Sequence, residues 1–198
     1  MAKSPIRTVQ ASNSPREIFK YGVDRNDVLL GVSENWQSFS EENGGGEGCY
    51  PQNIIGSSLW RHICDWETKQ LYQTILERVR NHNHRATFSF RCDSPEKRRF
   101  LSLAVIPMEE ASVAFESTII NTELREPVAL LSGEVERSQE LLRICSMCKR
   151  IAISATEWVE VEIAVQQLGL FQKVVMPQFT HGICQSCFDA AMAELDNL

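Results

Sequence analysis

Ala86-Thr87-Phe88-Ser89-Phe90-Arg91-Cys92 alternates large apolar and polar residues, placing Phe88 and Phe90 on one face of an extended strand. Asp93-Ser94-Pro95 then supplies a turn, because Asp and Pro preset the backbone for a reversal. Beyond it, Phe100–Ile106 and Val113–Ile120 are longer and rich in β-branched and aromatic residues, with a second turn at Met108–Ser112. Three strands joined by such short turns pair antiparallel. Lys97-Arg98-Arg99, just after the first turn, reads as a solvated hairpin tip.

Upstream, Ile18–Val23 and Asp27–Val32 are two further short strands, separated by Asp24-Arg25-Asn26. Trp36 and Phe39 stand at helical spacing on a short helix that ends near Asn43, where Gly44-Gly45-Gly46-Glu47-Gly48 cannot continue it. A turn and another short helix follow over Ile54–Ile63. Asp65 then caps the longest helix, about Trp66 to Asn81, whose apolar stripe is Leu71, Tyr72, Ile75, Leu76 and Val79. Two strands, small helices, a long helix and three strands predict an α+β domain, a five-stranded antiparallel sheet with helices on one face. Trp36, Trp60, Trp66 and Trp158 read as packing anchors. Cys49, Cys64 and Cys92 read as inert core thiols. His82 and His84 fall where the long helix ends and cap it in solvent, favoured by its dipole, and His62 faces the interior of the domain.

This order resembles the PAS sensor fold, a five-stranded antiparallel sheet clasped by short helices around a small cavity. The resemblance spans Ile18 to Asn121, with Asn35, Trp36 and Phe39, then Ile55-Gly56, Leu59, Ile63 and Asp65, as its local signatures. It implies a bound small molecule of unknown identity. The photoreactive-cysteine context of flavin-binding relatives is absent around Cys64. Residues 122–143 read as a connector in which Ser132–Leu142 forms a helix bearing Val135, Leu141 and Leu142, preceded by Leu131. In PAS proteins such helices often pair two protomers, which implies a homodimer here.

The chemistry is concentrated in the last quarter. Cys145-Ser146-Met147-Cys148 and Cys184-Gln185-Ser186-Cys187 are two Cys-x-x-Cys pairs, with 35 residues between them. Each such turn brings two sulfurs near enough to hold one ion, and two turns complete a tetrahedral sulfur site, the preference of structural Zn²⁺. Cys145, Cys148, Cys184 and Cys187 are therefore the predicted metal ligands in a small, zinc-ribbon-like module over 144–198. Iron and a redox pair remain open for the same residues. His181 has usable ligand spacing to Cys184, but four sulfurs already fill a tetrahedron. Trp158, Val161, Ile163, Val165 and Leu168 predict a covering helix in the insert. Ile144-Cys145-x-x-Cys148-Lys149-Arg150, Trp158-Val159 and Thr180-His181-Gly182-Ile183-Cys184-x-x-Cys187 together resemble a short cysteine module found at the ends of bacterial signalling proteins, after PAS or receiver domains. One departure stands out: Ile151–Ala155 replaces the Gly/Asp-rich turn usual before the tryptophan.

The remaining composition narrows the function classes. A chain of 198 residues with 20 basic and 26 acidic side chains carries a net charge of −6, which disfavours a nucleic-acid ligand. From Leu131 onward the balance is five basic to nine acidic residues, so a nucleic-acid-binding ribbon ranks last among the readings. Seven cysteines without a secretory signal argue against a disulfide framework. Residues 1–16 read as a polar, flexible leader, no apolar run approaches the ~20 residues of a membrane span, and a cytoplasmic protein is expected. The pairs Glu41-Glu42 and Glu109-Glu110 read as exposed neighbours, and no phosphate loop, dinucleotide fingerprint, nucleophile elbow or kinase signature is present. The expectation is a non-enzymatic bacterial sensor or adaptor with a PAS-like domain, a zinc module and an unknown signalling partner. The alternatives are a thiol redox switch and a zinc-ribbon regulator that binds nucleic acid.

Overall fold

The computed structural model describes residues 17–198, so the leader predicted at 1–16 lies outside the described residues. Strands β1 (Ile18–Val23), β2 (Leu29–Val32), β3 (Ala86–Arg91), β4 (Lys97–Pro107) and β5 (Val113–Leu124) form one antiparallel sheet in the order β2-β1-β5-β4-β3. β4 and β5 make a long hairpin from Pro107 opposite Val113 to Lys97 opposite Leu124, with an irregularity between Phe100 and Leu101. Helices α1 (Trp36–Glu42), α2 (Pro51–Ile54) and α3 (Trp66–His82) lie in the chain between β2 and β3. Asp65 caps α3 by accepting from the Thr68 amide at 2.7 Å. Leu71, Ile75, Leu76 and Val79 bury its inner stripe in one core with Val23, Phe88, Val105 and Phe115 of the sheet. At the other end, Asn83 in the left-handed region stops the helix, and His84 Nδ1 lies 2.7 Å from the His82 carbonyl, an exposed cap. No helix among the described residues is long and apolar enough to cross a membrane.

The connector is not a helix. Arg137–Cys145 is strand β6, at the centre of a second sheet ordered β8-β7-β6-β9, with β7 (Ile151–Ala152), β8 (Trp158–Val159) and β9 (Met176–Gly182). β6 pairs antiparallel with β7 and parallel with β9, from Leu141 opposite Gln178 to Cys145 opposite Gly182. The apolar residues here satisfy both periods: Leu142 and Ile144 of β6 face inward two apart, while Val135, just before the strand, and Leu142 also fit a helical stripe. Long-range pairing decides between them, because β7 and β9 supply backbone partners on both edges that a lone connector lacks. Of the apolar residues predicted for that helix, Leu141 is left exposed on the strand. Leu142 is buried and Val135 packs against a second core that contains Ile144, Ile151, Val161 and Leu170. The insert does contain a helix, α4 (Val161–Gln167), but it packs on this second core and leaves Trp158 in β8.

Several other placements differ from the sequence expectation. Trp66 is 72% exposed and anchors nothing, whereas Trp36, Trp60 and Trp158 pack against the main core. Cys49 and Cys64 are exposed and Cys92 is half-buried, so none is a core thiol. Lys97-Arg98-Arg99 lies within β4, with Arg99 buried and Arg98 ion-paired to Glu162 at 2.9 Å.

That ion pair belongs to a network joining the two sheets. The Asp93 side chain, 2% exposed, accepts from Arg91 at 2.5 Å and from Arg125 at 3.2 Å. Glu160 takes Arg91 at 2.7 Å and Arg150 at 3.2 Å, and Glu162 takes Arg125 at 3.1 Å. Burial works against the charge of Arg91, but Asp93 and Glu160 outweigh it and hold its pKa above the ordinary value. Burial likewise raises the Glu160 and Glu162 carboxyls, yet both lie below the ordinary value, Glu160 through the facing arginines and Glu162 through its own backbone amide together with Arg98 and Arg125. Depressed folded-state pKa values mean stability that is present above the unfolded carboxylate range and lost as pH falls through the folded values. The docking of α4 on β3 and β4 is therefore expected to weaken progressively below about pH 4.5. The pH dependence of unfolding midpoints, compared with a Glu160→Gln, Glu162→Gln variant that should show a shallower acid limb, checks this.

Candidate metal centre

The first cysteine pair forms at a hairpin. β6 ends at Cys145, and Ser146–Arg150 turns the chain into β7, closed by the Cys145 amide donating to the Arg150 carbonyl at 2.8 Å and the Lys149 amide to the Cys145 carbonyl at 3.0 Å. Lys149 takes a left-handed backbone, φ 63°, to make the turn. The second pair forms at a helix start. Cys184 is the N-cap of α5 (Gln185–Asp196), and Cys187 lies in the first turn with its amide donating to the Cys184 carbonyl at 3.0 Å. Parallel pairing of β6 with β9 sets Cys145 beside Gly182, so the two turns emerge side by side. A Cβ at Gly182 would stand 2.4 Å from Arg143 Nε, so a larger residue there would push the end of that side chain aside.

As a result the sulfurs of Cys145, Cys148, Cys184 and Cys187 all lie within 4.8 Å of one another. Cys148 and Cys184 are 3.7 Å apart. A tetrahedron with metal–sulfur bonds of about 2.3 Å has edges of about 3.8 Å, so the set fits a single zinc-sized ion. A disulfide needs about 2.05 Å, and all seven cysteines are unbridged. A single iron held by four thiolates has the same edges, whereas a multi-iron cluster spreads its thiolates over several irons and needs a wider frame.

The electrostatics fit a cation at that centre. Cys145, fully buried, has its pKa pulled down by hydrogen bonds from Cys148 and Cys187, helped by the Cys184 amide at 3.4 Å. Donating to Cys145 pushes Cys148 up to about 12 and Cys187 upward as well. Cys145 is thus the sulfur that most favours the thiolate, and a divalent ion would displace the protons that Cys148 and Cys187 hold more tightly. The charge of a tetrathiolate site finds partners in Lys149, whose ammonium donates to the Ser146 carbonyl at 2.8 Å, and in the N-terminal end of α5. Burial lowers the pKa of Lys149 while nearby thiols oppose that shift.

His181 stands apart from the sulfur group and lines a cavity instead, so the four cysteines are the cluster and the histidine is not. His62 also lines this cavity, with Nε2 2.7 Å from Ser57 Oγ. The carboxylate pairs Glu41-Glu42 and Glu109-Glu110 are exposed.

The cluster is also welded to the five-stranded sheet, which the sequence did not reveal. Cys145, Met147, Cys184, Ala191 and Leu195 belong to the same core as Val23 and Phe115. The Arg91 amide donates to the Met147 carbonyl at 2.7 Å, and the Thr87 amide to Glu194 at 2.8 Å, so the turn and α5 seal the outer edge of β3. Glu67 accepts from the Ile183 amide at 2.9 Å and pairs with Arg143, which lies over the Trp158 ring. Thr68 donates to Ser146 Oγ at 2.9 Å. No local pattern marks Glu67, Thr68 or Ser146, because their partners are distant in the chain.

No family model and no curated protein matches the chain. Among solved structures, it is similar to a domain of an HTR-like protein from Haloarcula marismortui, at 14% identity and a TM-score of 0.36, over 52% of this chain and 98% of that one.

Proposed function

We propose that this chain is a non-enzymatic sensory or adaptor protein in which a PAS-like domain is held to a structural zinc module. The observation that carries the proposal is the convergence of Cys145, Cys148, Cys184 and Cys187 within 4.8 Å, at a spacing suited to one tetrahedral ion. Support for the PAS-like half comes from the five-stranded antiparallel sheet, its short helices and the cavity of about 370 Å³ between them. Such a volume suits a small molecule. The zinc has a structural role in this reading, since all four positions are protein sulfurs and none is left for a substrate. Elemental analysis of protein purified without added metal should return one zinc per chain. Exchange for cobalt should give the visible bands of a tetrahedral, all-sulfur site. A metal-free chain that takes up neither ion sinks the proposal.

A second reading draws on Cys148 and Cys187, the half-buried member of each pair, which line a groove beside β3 with Arg150 and Phe90. In a thiol switch, peroxide takes two electrons from a thiolate pair, forming a disulfide and water and releasing the metal. Mild peroxide would then expel the ion and reductant restore it. Metal content unchanged under that treatment rules the switch out.

A further inference from the structure

The cavity of about 370 Å³ has one wall that does not come from the five-stranded sheet or its helices. Ser146, between the first two sulfur residues, and His181, on the strand leading to the second two, close it on that side. The opposite walls are aromatic and aliphatic, with Tyr21, Trp36, Tyr72, Ile54 and Leu59 among them. Tyr21 stacks on Phe115 at 4.4 Å and meets Trp36 edge-on at 5.9 Å, which fixes flat surfaces at the site. The anionic side chain at the cavity is Asp65, set among the hydroxyls of Thr68 and Ser146.

The first turn of α3 ties this cavity to both cysteine turns. Asp65 and Thr68 line it and also bond to Ser146, at 3.5 and 2.9 Å. Glu67, between them in the chain, holds the second turn through the Ile183 amide at 2.9 Å and Arg143. A metal ion fixes the two turns relative to each other. Its loss removes that tie between the turns, and with it the fixed positions of Ser146 and His181.

We infer that the cavity is a binding site for a small, flat aromatic or heteroaromatic molecule carrying an N–H donor, and that its occupancy is thermodynamically linked to metal at Cys145, Cys148, Cys184 and Cys187. The inference rests on the zinc reading above. Apolar walls favour the ring, and the Asp65 carboxylate and the hydroxyls favour the donor. Ligand and metal stabilise the same placement of Ser146 and His181, so each tightens the other by the same factor. The cysteine module is then a component of the binding site itself.

The probe is 5-fluoroindole, followed by its fluorine resonance on the full chain, with zinc content measured beforehand. Its dissociation constant is expected to rise at least about fivefold when zinc is chelated, and to return when zinc is restored. Saturating probe should raise zinc affinity, measured by chelator competition, by the same factor. Glu67→Ala, which touches neither sulfur nor cavity wall, should keep one zinc per chain and bind the probe about threefold less well. This second comparison uses zinc-loaded protein only, so it holds even if chelation unfolds the sheet. Equal probe affinity with and without zinc, equal affinity in the Glu67→Ala variant, or no binding to the zinc form each overturns the linkage. A chain without zinc fails at the elemental analysis, before probe is added, and defeats the underlying reading instead.

Discussion

Cys145→Ser is expected to empty the metal centre and to cost the chain at least about 4 kcal/mol, the range in which single substitutions act through loss of a metal or a comparable feature. Cys145 is fully buried, receives the Cys184 amide, and stands in the core shared with the five-stranded sheet. Serine binds zinc poorly, and it leaves a buried hydroxyl among the remaining three sulfurs. Structural zinc contributes about 10–16 kcal/mol in finger peptides near neutral pH. Part of that is retained here by contacts that do not depend on metal, such as Leu195 and Ala191 in the core. For a chain of this length the melting temperature should fall by about 8–16 °C. Cys49→Ser and Cys64→Ser, at exposed positions, should stay within about 0.5 kcal/mol and keep full zinc content. Paired metal analysis and thermal unfolding check the contrast; equal effects at Cys64 and Cys145 would remove the special status of the cluster.

Asp93→Asn should be the second most damaging change, at about 3 kcal/mol. The carboxylate accepts from Arg91 and Arg125, and each of those guanidinium side chains is 8% exposed. Neutralising it leaves two desolvated cations short of a counter-charge, a situation that costs about 3–5 kcal/mol. The lower end applies because Arg91 keeps Glu160 and Arg125 keeps Glu162. Glu123→Gln is the control: that pair with Arg98 spans 3.6 Å with Glu123 49% exposed, and it should change stability little. Denaturant unfolding of both variants, with a melting shift of about 6–12 °C for Asp93→Asn alone, tests the assignment.

The parts of this molecule that the sequence made legible are those written locally. Phe88 and Phe90 announce a half-buried strand, Leu71 to Val79 announce a one-sided helix, and Asp65 announces where that helix begins. The cysteine pairs announce themselves by spacing, and the structure brings all four together. What escaped is set by partners far along the chain. Leu141, Leu142 and Ile144 suit a helix or a strand until β9 arrives to pair with them. Arg98 and Arg99 look like a solvated tip until Glu162, more than sixty residues later, covers Arg98. Asp93 passes for a turn residue, and nothing adjacent to it shows that it neutralises two buried arginines.

A last consequence concerns β3, which lies at the margin of the five-stranded sheet with Thr87 and Arg91 donating to α5 and to the Met147 carbonyl. Sheet margins left bare invite strands from other molecules. If the sulfur cluster loses its ion and α5 lifts away, a run of Phe88, Ser89 and Phe90 is uncovered with vacant backbone groups. Metal-starved protein should therefore self-associate through added strands, making chelation a trigger for precipitation rather than for simple unfolding.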